Sequence, residues 1–254
     1  MIGTIARYSL REALQNRLLA LLLALLLAAF LLAEFLGSVA LTEHAAIRAA
    51  FAAALLRLGA VLVMALFVVT SVLRAEQERT LELTLALQHP RSHYVLGKLA
   101  AFGVIAAVLA AASGALVLLY AQSPAASLRW GVSLACELWL VAALGLLLAF
   151  SLRQPVVALA ALGAVYLLAR SLDALLLIVE QPVLVRDGAG SLLVDAFLAG
   201  LAWLLPSLHR FTDAGWVAHG LGGWADVALV LAQTAVYLPL LAAAAAVDLY
   251  RREF

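Results

Sequence analysis

Six long apolar runs limit this chain to very few folds. They lie at roughly Leu18–Leu36, Phe51–Leu73, Leu99–Tyr120, Gly131–Leu152, Pro155–Val179 and Asp226–Leu249. At 1.5 Å per residue each is long enough to cross a hydrocarbon core about 30 Å thick. The 254 residues are 67% hydrophobic and only 12% charged, about half the charged share of a soluble domain. Mean hydropathy is +1.10. A β-barrel would show short alternating strands, whereas these Leu/Ala/Val stretches are unbroken. The fold class expected is an all-α polytopic membrane protein with six transmembrane helices, forming one domain over residues 1–254. The first run is longer than the apolar region of a cleavable signal peptide, so no cleaved leader is expected.

Basic residues orient the spans, because cytosolic loops retain Lys and Arg. With both termini inside, the inner segments carry Arg7, Arg11, Arg17, Arg74, Arg79, Arg91, Lys98, Arg153, Arg251 and Arg252. The outer segments carry only Arg48, Arg129, Arg186 and Arg210. Ten against four predicts a multi-pass protein of the bacterial inner membrane with both termini cytosolic.

Residues 1–17 read as an amphipathic helix. Ile2, Ile5, Ala6, Ser9, Leu10, Ala13 and Leu14 share one side, and Thr4, Arg7, Tyr8, Arg11, Glu12 and Gln15 the other. Such a helix lies in the inner membrane surface, with Arg7 and Arg11 toward anionic headgroups. It serves either as an orienting anchor or as a contact for a cytosolic partner. Residues 180–224 form a long outer segment. Within it the apolar stretch Ser191–Leu205 is too short to span and is stopped by Pro206, which predicts re-entrant or interfacial helices between the fifth and sixth spans.

Several chemistries are excluded. Gly97-Lys98 lacks the upstream glycine of a phosphate loop. His89 and His93 are separated by Pro90, and no metal-binding helix motif is present. Ser113-Gly114 has no base partner, and the lone Cys136 forms no intramolecular disulfide. The chain is therefore expected to be no enzyme, to hold no metal or cofactor of its own, and to bind no nucleic acid.

The island at 74–98, RAEQERTLELTLALQHPRSHYVLGK, departs from a plain bundle. Acidic Glu76, Glu78 and Glu82 open it, and Leu81, Leu83, Leu85 and Leu87 alternate with Glu82, Thr84, Ala86 and Gln88. Pro90 breaks the chain, and Arg91-Ser92 restart it, Ser92 being a suitable N-cap. Two short helices with a turn between them are expected. Glu78-Arg79-Thr80-Leu81-Glu82, the Leu-rich stretch containing Leu85, Pro90-Arg91-Ser92 and Gly97-Lys98 together resemble the cytosolic coupling segment of ABC-2 type permeases. The usual glycine before Thr80 is missing. Layout agrees along the whole chain: an interface helix, six spans and re-entrant helices before the last span.

That resemblance implies a half-transporter. Two copies would pair as a homodimer in the bilayer, and each coupling segment would seat on a separate ABC ATPase subunit that binds ATP and Mg. Residues Glu78, Thr80, Leu81, Glu82, Leu85, Pro90, Arg91, Ser92, Gly97 and Lys98 would then carry the coupling. The alternatives are a maturation-type permease for metalloenzyme or haem assembly, and a non-transporting mechanotransmitter or scaffold driven by an ATPase.

Glu34, Arg57, Glu137, Arg170 and Asp173 fall inside spans. Charges are costly in lipid and face a bundle interior, a cavity or each other. Arg57 can reach Glu34 or Glu137, and Arg170 and Asp173 can pair locally at i, i+3. These groups form either structural ion pairs or the lining of a path.

Overall fold

The computed structural model describes residues 2–15, 18–39, 44–77, 91–121, 123–180, 197–198, 200–202 and 204–251. The helices are α1 (Ile2–Gln15), α2 (Leu18–Val39), α3 (His44–Gln77), α4 (Arg91–Val117), α5 (Pro124–Leu152), α6 (Pro155–Glu180), α7 (Ala214–Ala218) and α8 (Trp224–Arg251). A 3-10 turn, Leu208–Arg210, precedes α7. Among the described residues there is no strand, and six helices (α2 to α6 and α8) are long and apolar enough to cross a membrane. The chain is a multi-pass helical membrane protein.

Helix limits follow local chemistry. Ser123 caps α5 by accepting from the Ala126 amide at 3.2 Å, and Pro124 occupies the first turn, where its missing donor costs nothing. Arg153 closes α5 in a left-handed conformation (φ 53°), its amide bonding the Ala149 carbonyl. Only Arg153 and Gln154 then separate α5 from α6, so the two run antiparallel as a tight helical hairpin.

α5 is the axle of the bundle. Trp130, Leu134, Leu138, Leu146 and Phe150 are fully buried, and α3, α4, α6 and α8 pack around it. α2 leans on α3 from outside, and α1 lies chiefly against α4. The α4–α5 seam is close because small residues line it. Gly114 and Gly131 face each other, and the Ser127 hydroxyl donates to the Gly114 carbonyl at 2.7 Å, the packing that membrane helices use without a solvent-driven hydrophobic term. At Gly103 the indole of Trp139 lies against the backbone. A Cβ there would stand 2.9 Å from the ring, and the indole nitrogen donates to the Leu99 carbonyl at 3.0 Å. Phe67 of α3 meets Phe102 of α4 edge-on, centroids 5.9 Å apart.

Two expectations change. The third span begins at Arg91, and α4 continues unbroken through Lys98 to Val117. Residues 91–98 are thus the base of a long helix instead of a short separate one, and Ser92 lies within its first turn instead of capping it. Small-residue faces around Gly145, Gly163 and Ala242–Ala246 are the ones the sequence offers for contact between copies, but Gly145 is spent inside the protomer, where a Cβ would meet Leu162 and Val68 at 3.1 Å. In the outer segment, the described residues between 197 and 204 are helical and the helix is left before Pro206. The 3-10 turn and α7 then pack on α3, α5 and α6.

Candidate functional site

Three polar clusters interrupt the apolar bundle, each joining elements distant in sequence. The first lies where α3 ends and α4 begins. Lys98, only 3% exposed, sits 3.5 Å from the Glu12 carboxylate of α1 and donates to the Ser71 hydroxyl of α3 at 3.0 Å. Ser71 in turn donates to Glu12 at 2.9 Å. The ammonium also lies 5.8 Å from the Phe102 ring centroid, within cation–π range. A buried ammonium is tolerated only when paired and hydrogen-bonded, and this triad supplies both. It ties α1, α3 and α4 together at the two helix ends that flank residues 78–90.

The second cluster centres on Glu137, near the middle of α5 and fully buried. Tyr166 of α6 donates to one carboxylate oxygen at 2.8 Å, and Thr212 donates to the other at 2.6 Å. Arg170 of α6 lies 3.7 Å from Glu137, and also donates to the carbonyls of Leu208 and, at 2.7 Å, Phe211. Arg57 of α3 donates to the Thr212 carbonyl at 3.4 Å. The Thr212 amide donates to Ser133 at 2.9 Å. All three polar groups of Thr212 are therefore bound, two by α5 and one by α3, and with Arg170 of α6 on the Leu208 and Phe211 carbonyls the segment 208–212 is fastened inside the bundle.

The third cluster joins the end of α2, the start of α3 and the turn after α4. Arg48 lies 3.2 Å from Glu34, and Tyr120 donates to the other Glu34 oxygen at 3.1 Å. Burial, reinforced by Glu34, pushes the Tyr120 phenol up to about 12. A cavity of about 280 Å³ opens beside them, lined by Phe30, Glu34, Ala45, Arg48, Leu119 and Tyr120. A scan against protein-family models and a search of curated proteins both find no match for this chain.

The predicted residues are thus sorted by tertiary structure. Glu34 pairs with Arg48, not with Arg57, because Arg57 is turned toward Thr212. Arg170 passes over Asp173 and reaches Glu137. Asp173 instead stands 3.6 Å from the His209 imidazole. Burial, with Arg210 and Arg170 nearby, pushes that imidazole below its ordinary value against the pull of Asp173. Arg210 donates to His209 Nε2 at 3.4 Å, so this nitrogen is an acceptor and the contact with Asp173 is not an ion pair at neutral pH.

Of the coupling residues, Glu78, Thr80, Leu81, Glu82, Leu85 and Pro90 lie outside the described residues. Arg91 and Ser92 open α4, while Gly97 and Lys98 are buried against neighbouring elements. Arg7 and Arg11 are exposed on α1. Sequence reasoning missed Glu12, Ser71, Tyr166, Ser133 and Thr212. Spacing carried a signal for two of them: Ser133 and Glu137, like Tyr166 and Arg170, stand four residues apart on one helix face. Among the described residues no cluster of metal-ligating side chains occurs.

Proposed function

We propose that this chain is the membrane-spanning permease subunit of an ABC-2 type exporter, driven by a separate ATPase that carries ATP and Mg. Support comes from the resemblance over residues 74–98 and from one observation at their flanks. The Glu12–Ser71–Lys98 triad binds α1 to the adjoining ends of α3 and α4. A push on residues 78–90 reaches three elements as one body, which is what coupling between a nucleotide site and a membrane path requires. The Leu81–Leu87 stretch supplies apolar surface for the ATPase groove, each fully buried leucine contributing roughly 1.5–3 kcal/mol. Glu82 supplies register through an arginine of the partner. Two copies form the working unit, meeting through faces such as those around Gly163 and Ala242–Ala246. The 180–224 segment re-enters the bundle from the outer side.

A second reading, a mechanotransmitter that signals to an outer partner, draws on the Glu137 cluster, since that cluster links the outer segment to α3, α5 and α6.

Reconstitution with the cognate ATPase tests the exporter reading. Glu82→Lys, or a charge introduced at Leu85, uncouples ATP hydrolysis from transport while six-span insertion persists. Normal copurification with the ATPase and wild-type transport by both variants would sink it.

A further inference from the structure

We propose that the cavity between the end of α2, the start of α3 and the turn after α4 binds the headgroup of a zwitterionic amino-phospholipid. Its ammonium would meet Glu34 and its phosphate Arg48 and Tyr120. The inference rests on the charges that line the cavity and on its placement in the membrane, and stands independently of the exporter reading.

The charges define the ligand class. Glu34 and Arg48 are half-open to the cavity, their side chains 43% and 35% exposed, and an exposed ion pair of this kind is weakly held. Arg48 spends one guanidinium nitrogen on Glu34 at 3.2 Å, which leaves most of its five N–H donors for a phosphate. A simple anion would gain Arg48 but be repelled by Glu34, and a simple cation would suffer the reverse. A ligand bearing both charges replaces the internal pair with two new ones. Tyr120, a hydroxyl donor at neutral pH, can turn from Glu34 to a phosphate oxygen. The cavity, about 280 Å³, lies at the bottom of the range for small-molecule pockets, near 300 Å³, and suits a headgroup better than a whole drug-sized solute.

The position defines the lipid source. Glu34 is close to the end of the Ala20–Ser38 span, Arg48 is close to the start of the Ala45–Gln77 span, and Tyr120 follows the Ser92–Val117 span. All three therefore stand where hydrocarbon gives way to headgroups. Phe30, Leu27 and Leu23 continue from Glu34 down the same face of α2 at helical spacing, and all three are exposed. That stripe extends about 16 Å toward the bilayer centre at 1.5 Å per residue, a track for an acyl chain beneath the bound headgroup. Gly37 holds the geometry open, because a Cβ there would overlap the stem of Arg48.

Native mass spectrometry of the full chain, released from detergent with defined lipids, tests the site. Phosphatidylethanolamine should be retained roughly tenfold more tightly than phosphatidylglycerol, the worth of one charge-assisted hydrogen bond. Glu34→Gln should abolish that preference, and Arg48→Gln should weaken both lipids. Gly37→Ala, which removes neither charge, should reproduce the Arg48→Gln loss by displacing the guanidinium. Circular dichroism and melting in detergent verify folding. If Arg48→Gln does not fold, Glu34→Gln and Tyr120→Phe carry the test. Equal retention of both lipids by the wild type, or unchanged retention by the folded variants, overturns the proposal. Displacement by soluble phosphoethanolamine at the concentration of the lipid overturns the lipid source. A lipid-free dimer that Arg48→Gln dissociates overturns it in favour of a second copy.

Discussion

Thr212 shows how much one residue can be made to carry. Its φ of 47° lies in the left-handed region, where a β-branched side chain is strained. Three hydrogen bonds hold it there, to Ser133, Glu137 and Arg57. Thr212→Val keeps the strain and strips the buried Glu137 oxygen of its donor, a loss of roughly 1–3 kcal/mol. Thr212→Gly loses the same bond but relieves backbone strain of order 1–3 kcal/mol. The valine variant should therefore melt below the glycine variant, as read by thermal unfolding in detergent; the reverse order would show that the left-handed backbone at 212 holds no strain for glycine to relieve. His209, three residues earlier, adds a pH response. Its folded pKa is depressed, chiefly by burial, so its contribution to stability is present above the unfolded value near 6.5 and is lost as pH falls through the lower folded value. Melting temperatures of wild type and His209→Gln should diverge as pH falls from about 8 to about 5, with wild type losing more. Parallel curves would show that His209 titrates alike in the folded and unfolded states.

At the scale of elements, α1 is more than an anchor. Its amphipathic pattern correctly separates buried Ser9 and Ala13 from exposed Arg7, Tyr8 and Arg11, because a single helix repeats every 3.6 residues. Glu12, assigned by that pattern to the polar side, is claimed instead by Lys98. Periodicity describes one helix at a time and contains no term for a charge on another. Glu12→Ala should release α1 and leave Lys98 buried without its counter-ion, at a cost of roughly 3–5 kcal/mol. Arg7→Gln with Arg11→Gln, at exposed positions, should each stay within about 0.5 kcal/mol of wild type. Joint replacement by Glu12→Gln and Lys98→Met should recover most of the loss, since a buried pair exchanged for neutral groups is often neutral overall. Limited proteolysis of α1 together with melting checks all three. A Glu12→Ala protein as stable as wild type would mean that Lys98 finds another partner.

For the whole molecule, the ten-to-four distribution of basic residues predicts the orientation. In a Cys136→Ala background, single cysteines at Gln15 and Gln88 should react with an impermeant maleimide only from the cytosolic side, and one at Asp187 only from outside. Labelling of Asp187 from the cytosol would invert the topology. The number, type and approximate limits of the spans were readable from sequence alone, because in a bilayer a long apolar run must satisfy its own backbone hydrogen bonds and a helix does so locally. Which charges meet was decided only by tertiary structure. Glu34 finds Arg48, Arg170 finds Glu137, and Arg57 turns to the Thr212 carbonyl, since each choice depends on the height and rotation of one helix against another. The close seams at Gly103 and Gly114 set the rotation of α4 against α5. They arise from side-chain volumes on two helices at once, and no pattern along a single helix contains that information.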